Sequence, residues 1–109
     1  MRWQTVENQS KYNVIISERA MQMLVSNVAF VSQVSINAGQ RLTDEFEKTA
    51  NSLEFMPQRC SWLSGEYIPK NQYRYILFEK RYMLIFQIID NNVYVDYVVD
   101  CRQDYSWLI

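Results

Sequence analysis

Positively charged side chains are the residues of this 109-residue chain best suited to do chemistry, and they outnumber acidic ones in one segment of its second half. Five of them lie between positions 57 and 81 against two glutamates, a net charge of +3: Arg59, Lys70, Arg74, Lys80 and Arg81. Residues 82–104 carry Arg102 against four aspartates, a net charge of −3. Arginine can clamp a phosphate with two parallel hydrogen bonds. The two segments predict two surface patches of opposite charge that lie close together if the segments are neighbouring strands. Scattered solvated charges are the open alternative.

Composition excludes several common kinds of site. The net charge of −1 excludes a generally basic coat for nucleic acid. Histidine is absent, so a Ser-His-Asp or Cys-His nucleophile pair and a histidine-ligated metal site cannot form. The chain has two glycines, too few for a glycine-rich phosphate loop, and two cysteines, too few for a four-cysteine zinc site. We therefore expect no cofactor and no metal.

The length predicts one domain, with residues 1–10 as a polar N-terminal extension and residues 11–109 as the folded part. Residues 1–17 carry three charged side chains and lack the apolar core of a signal peptide. No stretch approaches the roughly 18 consecutive apolar residues of a membrane span. We therefore expect a cytoplasmic protein with no membrane segment.

Apolar spacing predicts a short strand followed by two helices. Residues 12–16 are rich in β-branched residues, and Ser17 is a candidate N-cap for the first helix. One face of that helix recurs at helical spacing: Ala20, Leu24, Val28 and Val31. Flanking Met21, Phe30 and Val34 predict that the helix buries much of its girth. A break is expected at Asn37–Gly39.

The second helix repeats the same spacing and is predicted to stop at Pro57: Leu42, Phe46, Ala50 and Leu53. Residues 58–71 are predicted to form a connecting loop with Trp62 and Leu63 turned inward. Three β-rich runs follow at 73–78, 82–89 and 93–99, separated by segments of hairpin-turn length. The last run alternates apolar and polar residues. The predicted fold is α+β: a strand, an antiparallel two-helix hairpin and a three-stranded antiparallel meander, with the helices packed on one sheet.

Three stretches together resemble the RelE/ParE family of type II toxin–antitoxin toxins. YNVIISERAMQML at 12–24 is similar to the family's opening, where a strand runs into a helix through a Ser-x-x-Ala turn. FMPQR at 55–59 resembles its Met-Pro-x-Arg signature at the end of the second helix. Residues 73–109 are similar to its three-strand meander and C-terminal tail. The order of the three stretches agrees with the elements predicted above.

The resemblance implies a growth-inhibiting toxin that a cognate antitoxin neutralises, as a monomer or dimer within the toxin–antitoxin complex. RelE-like members cleave mRNA in the ribosomal A site with Lys and Arg side chains and an aromatic residue near the C-terminus. ParE-like members share the fold but poison DNA gyrase and lack that residue set. A further alternative is a relative that has lost toxicity and serves as a binding module for its partner.

The RelE-like catalytic set is only partly present, so whether the chain is an enzyme stays open. The resemblance implies that Arg74 is the first basic residue of the set, Arg102 the tail arginine and Tyr105 the terminal aromatic. Three positions where the family has cations are uncharged here: Ile76, Met83 and Gln103. A ribonuclease without histidine needs Lys, Arg, Glu or Tyr to deprotonate the 2′-hydroxyl and stabilise the phosphorane. The missing cations therefore weaken the ribonuclease interpretation.

Candidate substrate-binding residues are Arg59, Lys80 and Arg81. Arg74 and Arg102 are expected to converge, with Arg59 bordering the same patch, because neighbouring antiparallel strands bring such ends within side-chain reach. Structural alternatives stay open for each residue. Arg74 could be a solvated strand residue or the partner of an aspartate, and Arg102 could form a structural ion pair with Asp100 or Asp104. Tyr105 could belong to a tail packed on the core.

Aromatic residues make up 15% of the chain, more than a core of this size needs. The three tryptophans, Trp3, Trp62 and Trp107, lie in segments predicted to be irregular. We therefore expect an exposed apolar surface. The resemblance implies its occupant, a segment of the antitoxin that covers the sheet and flanking helices as an added helix or strand.

Overall fold

The computed structural model describes residues 11–102. Within that range the strands are β1 (Asn13–Ile16), β2 (Ser61–Trp62), β3 (Arg74–Phe78), β4 (Tyr82–Ile89) and β5 (Asn92–Asp100). The helices are α1 (Glu18–Ser32) and α2 (Ile36–Ser52), and a 3-10 turn spans Pro57–Arg59. The predicted α+β class is confirmed. The predicted N-terminal extension and the tail with Tyr105 and Trp107 lie outside the described residues.

The sheet has the strand order β1-β5-β4-β3-β2. Strands β3, β4 and β5 form the predicted antiparallel meander. Strand β1 joins parallel to β5, and β2 pairs with the start of β3, with Trp62 opposite Arg74. The Ser17 amide donates to the Val95 carbonyl at 3.0 Å, which fixes the start of α1 beside β5. The helical hairpin therefore folds back across one face of the sheet.

The alternating side chains of β5 switch to the other face of the sheet at Asp96. Ile85 lies opposite Tyr97 and Phe86 opposite Val95, so Asp96 is the extra residue of a β-bulge. Its carboxylate accepts a hydrogen bond from Gln87 Nε2 at 2.7 Å. The predicted alternation of β5 holds only up to this residue, because the bulge moves the following side chains to the other face.

Both faces of the sheet are covered. The main core lies between the helices and the sheet and contains Leu42, Phe46, Leu84, Phe86 and Val95. A smaller cluster occupies the opposite face and includes Leu63, Tyr73, Met83, Ile85, Tyr97 and Val99. Strand β4 contributes to both clusters, as expected of a central strand whose residues are almost all apolar.

Serine side chains cap both helices: Ser17 Oγ accepts from the Ala20 amide at 3.0 Å and Ser35 Oγ from the Ala38 amide at 3.1 Å. The helix break predicted at Asn37–Gly39 is wrong, since α1 and α2 are separated by residues 33–35. Gly39 lies buried inside α2, where an added Cβ would stand 3.2 Å from Ser32 Cβ. This glycine therefore allows α1 and α2 to approach closely and does not end a helix.

The second helix ends at Ser52, and Pro57 starts the 3-10 turn, so the helix stops earlier than predicted. The first helix buries one stripe only: Met21, Val25 and Phe30 are 41%, 59% and 66% exposed. The prediction that α1 buries much of its girth is therefore wrong. Neither described helix is long and apolar enough to cross a membrane.

Trp62 and Leu63 belong to opposite environments. Leu63 is buried as predicted, but Trp62 is 43% exposed. Successive residues of an extended chain point to opposite sides, so both cannot turn inward. The segment predicted as a loop at 58–71 therefore contains a 3-10 turn and the short strand β2.

Candidate functional site

Charged side chains gather where β3 turns into β4. Glu79, Lys80 and Arg81 form this turn, and Arg41 of α2 reaches Glu79 with an Nε–Oε2 distance of 3.7 Å. The Cys101 amide donates to the Arg81 carbonyl at 2.7 Å and joins the turn to the end of β5. We call this group of four cations and two carboxylates the basic corner: Arg41, Glu79, Lys80, Arg81, Asp100 and Arg102.

The turn between β3 and β4 has an uncommon backbone conformation at two of its residues. Glu79 and Lys80 have φ angles of 47° and 69°, in the left-handed region that side chains other than glycine rarely adopt. Such residues cost about 1–3 kcal/mol each and persist where the surrounding structure determines them. Here β3 and β4 pair directly on both sides of the turn, with Phe78 opposite Tyr82.

A pocket of about 290 Å³ opens between this turn and the helical hairpin. Its lining includes aliphatic side chains of the two helices and cations of the basic corner: Val31, Ala38, Leu42, Arg41, Lys80 and Arg81. Within residues 11–102, no hydrogen bond or ion pair engages the Lys80 ammonium. The pocket therefore presents positive charge beside a small aliphatic surface.

Arg102 pairs with a buried carboxylate. Its Nη2 lies 2.7 Å from Asp100 Oδ2, and its Nε and backbone amide both donate to Oδ1, at 3.1 and 2.9 Å. These hydrogen bonds, above all those from the guanidinium, lower the pKa of Asp100, against the opposing effect of burial. The structural ion pair, one of the two predicted alternatives for Arg102, is present, and half of the arginine side chain stays exposed.

Arg74 lies at the opposite end of β3 and is bound to the protein itself. Its Nη1 donates to the carbonyls of Gln58 and Cys60 at 3.0 and 2.7 Å. Its guanidinium stacks on the Trp62 ring, 3.7 Å from the centroid. Arg74 therefore holds the segment that follows α2 against the sheet.

Arg59 caps the second helix. Its Nη1 donates to the carbonyls of Ser52, Phe55 and Met56, and its Nη2 to Ser52 Oγ, at 2.8 to 3.4 Å. The last carbonyls of a helix lack partners within the helix, and a cation there also interacts favourably with its dipole. Arg59 is accordingly committed to the end of α2.

The expectation that Arg74 and Arg102 converge is wrong. Arg74 lies opposite Phe86, whereas Asp100, two residues before Arg102, lies opposite Tyr82. Four residues of β4 separate these registers, about 13 Å along the strand. Of the predicted site residues in the described range, Lys80, Arg81 and Arg102 come together, and Arg59 and Arg74 lie at the other end of the sheet. Tyr105 lies outside the described residues.

The resolved pKa shifts do not supply a base or nucleophile for neutral pH. Burial raises the pKa of the Cys60 thiol, against the opposing effect of Arg59 and Arg74, and burial also raises the pKa of Cys101. Burial likewise raises the pKa of the Tyr73 hydroxyl. With Asp100 shifted downward, each of these groups moves away from neutrality. The basic corner, with four cations against two carboxylates, has the charge needed to bind an anion or an acidic protein surface.

Two residues of the basic corner, Arg41 and Glu79, were not predicted from the sequence. Arg41 lies on the polar side of α2, where periodicity predicts only exposure, and its position near the turn depends on how the hairpin packs. Glu79 lies in a turn segment for which the sequence predicted only the cations, Lys80 and Arg81, as binding residues. Their proximity, 3.7 Å, is set by the tertiary fold.

Exposed apolar side chains lie on the helical hairpin. Met21 and Val25 are one helical turn apart and form a stripe on α1. Phe30, Val34 and Ile36 surround the connection between the helices, and Val34 is 89% exposed. We call the first pair the α1 stripe and the other three residues the hairpin tip. These exposed apolar side chains, close together along one helical hairpin, are a candidate interaction surface.

Comparison with known proteins agrees with this architecture. The family model described as the ParE toxin of the type II toxin–antitoxin system parDE matches residues 14–105. No curated protein matches the chain. A solved structure, a chromosomal ParDE toxin–antitoxin system from P. aeruginosa, has a similar fold with a TM-score of 0.64 at 9% sequence identity; the match covers 83% of this chain and 96% of that one. Because the family model spans most of the sequence, the chain belongs to the ParE toxin family of type II toxin–antitoxin systems.

Proposed function

We propose that this toxin inhibits growth by binding DNA gyrase, without cleaving RNA, and that a cognate antitoxin neutralises it. The observation that carries the proposal is the separation of the arginines that a RelE-like nuclease would bring together. Arg74 is bonded to the Gln58 and Cys60 carbonyls at one end of the sheet, and Arg102 is paired with Asp100 at the other.

Charge placement supports a protein target. The cations of the basic corner lie at one end of the molecule and form a surface that an acidic protein patch would complement. Such complementarity steers association and selects partners. A nuclease would also need a group that accepts the 2′-hydroxyl proton, and the resolved pKa shifts move their groups away from that role.

Neutralisation by an antitoxin is supported by the exposed apolar side chains. The α1 stripe and the hairpin tip have no partner within the described chain, and an amphipathic helix or an added strand is the usual way to cover such a surface. We propose that the antitoxin covers them in the complex.

The test uses purified toxin in two parallel assays. We expect the toxin to stop gyrase from supercoiling relaxed plasmid, while translation of a reporter in a cell-free extract continues on intact mRNA. Toxin premixed with its antitoxin, encoded next to it, is the control and should leave supercoiling unaffected.

Other outcomes would identify the alternatives. Cleaved mRNA in the translating extract together with normal supercoiling would contradict the proposal and assign the toxin to the ribosome. Lack of an effect in both assays, with normal growth of cells after induced expression, would indicate a binding module without toxicity.

A further inference from the structure

The pocket of the basic corner has a charge that its own residues do not balance. Arg41, Lys80 and Arg81 line it against a single carboxylate, Glu79, which leaves a charge of +2. A phosphate monoester carries about −1.5 to −2 at pH 7, whereas a carboxylate or a phosphate diester carries one negative charge. We propose that this pocket binds the phosphate group of a small phosphate monoester.

The donors in the pocket are available to such a ligand. Arg41 and Glu79 are 3.7 Å apart and their side chains are 64% and 30% exposed, a loose pair that leaves guanidinium donors unused. Lys80 has no ion-pair partner among residues 11–102. Arg81 lies over the Tyr82 ring at 5.7 Å, which orients its guanidinium at the pocket edge. An arginine fork with a lysine point charge is a common way to bind phosphate.

The pocket also limits the size of the ligand. Its volume of about 290 Å³ lies just below the usual range of small-molecule sites, about 300–1,000 Å³. Val31 and Ala38 supply a small aliphatic surface over the buried Leu42, and inorganic phosphate would leave this surface uncovered. An ester with a compact apolar or aromatic group therefore fits better than the free ion.

The proposed phosphate binding by the pocket is independent of whether the toxin acts on gyrase or on the ribosome. A phosphate monoester of suitable size can come from a free nucleoside monophosphate or from the phosphorylated 5′ end of a nucleic acid strand. The two sources share the chemistry that the pocket recognises, and the experiment separates them.

Isothermal titration of the full-length toxin at pH 7.5 tests the proposal. We expect phenyl phosphate to bind at one saturable site, and methyl phenyl phosphate, a diester, to bind about tenfold more weakly because it lacks one charge. Phenol should not bind. Equal binding of the monoester and the diester, or no binding of phenyl phosphate, would overturn the proposal.

Variants then locate the binding. Lys80→Gln and Arg81→Gln should each weaken phenyl phosphate binding by about tenfold or more, since each removes a charged donor. Lys70→Gln removes the same charge from an exposed lysine outside the pocket and should bind like the unaltered toxin. Thermal unfolding confirms that each variant is folded. Unchanged binding in both pocket variants would exclude this pocket.

Two further ligands identify the source. Adenosine 5′-monophosphate and a 5′-phosphorylated trinucleotide both carry the monoester, and the trinucleotide without that phosphate is the control. Binding of the mononucleotide alone assigns a free nucleotide, and binding of the phosphorylated trinucleotide assigns a strand end. Failure of both, or equal binding of the unphosphorylated control, would contradict the proposal.

Discussion

Several arginine side chains of this toxin bind its own backbone, Arg102 pairs with the Asp100 carboxylate, and others stay available at the surface. Arg59 and Arg74 donate to carbonyls around the end of α2 and the segment after it. Arg41 and Arg81 surround an open pocket with Lys80. The same residue type is thus engaged by the fold at one end of the sheet and remains available for binding at the other.

Replacing Arg74 should therefore affect stability. Arg74→Gln loses the charged hydrogen bonds to two carbonyls and the stack on Trp62, and we expect a loss of about 1–3 kcal/mol in the free energy of unfolding. Urea denaturation followed by tryptophan fluorescence measures the change, with Lys70→Gln as the charge-matched control. Unfolding at the same urea concentration in both variants would contradict the structural role.

Asp100 should make stability depend on acid pH. Its pKa is lowered in the folded state, so its contribution is complete above the unfolded value of about 3.9 and is lost as pH falls through the folded pKa. Asp100→Asn should cost about 1–2 kcal/mol at pH 7, reduced by the half-exposed state of Arg102. Chemical denaturation at pH 7 and pH 3 should show the two proteins converging at acid pH. A constant difference would exclude this origin.

The partner of Arg102 could be predicted from the sequence, but the partners of Arg74 could not. Asp100 is two positions from Arg102, so their pairing was a recognised alternative. The hydrogen bonds of Arg74 were not predictable, because their acceptors are backbone carbonyls and every residue type has one. Its partner Trp62 also depends on β2, a two-residue strand too short to leave a periodic pattern.

At the scale of elements, the start of α2 depends on one serine. Ser35 Oγ accepts from the Ala38 amide at 3.1 Å, one of the helix N–H groups without a partner in the helix. We expect Ser35→Ala to lower the free energy of unfolding by about 1 kcal/mol, and Ser35→Asp to retain stability because a carboxylate also caps. Differential scanning calorimetry compares the two. Equal melting temperatures for the alanine and aspartate variants would contradict the capping role.

Local signals predicted the elements better than their contacts. Ser17 and the apolar spacing from Ala20 placed the start of α1 correctly, because capping and helical periodicity are local. Gly39 was misinterpreted as a break, since a glycine required for helix packing has the same letter as one that ends a helix. Periodicity does not record long-range contacts or strand register. The parallel pairing of β1 with β5 joins residues about 80 positions apart, and the bulge at Asp96 depends on the register between β4 and β5.

At the scale of the whole molecule, the apolar side chains of the hairpin should distinguish antitoxin binding from folding. Val25→Glu and Val34→Glu place a charge on side chains that are 59% and 89% exposed, so we expect folding to be unaffected and antitoxin affinity to fall about tenfold or more. Ser26→Glu and Gln33→Glu add a charge at the neighbouring exposed positions and are the controls. Co-purification and titration of the complex measure the effect. Antitoxin affinities equal to those of the controls would place the interface elsewhere.

The basic corner should determine the target. It lies beside the hairpin tip, because Val31 and Ala38 line the same pocket as Lys80 and Arg81. Arg81 belongs to the basic corner, and its backbone, not its side chain, joins the turn to β5. An acidic protein surface needs positive charge there, whereas a bidentate phosphate contact needs the arginine fork. If gyrase is the target, Arg81→Glu should abolish growth inhibition and Arg81→Lys should retain it. Growth after induced expression measures both, with Lys70→Glu as the charge-reversal control and melting temperature as the test of folding. Loss of toxicity in the lysine variant would instead indicate a phosphate-bearing target such as RNA, and full toxicity of Arg81→Glu would remove this residue from the target interface.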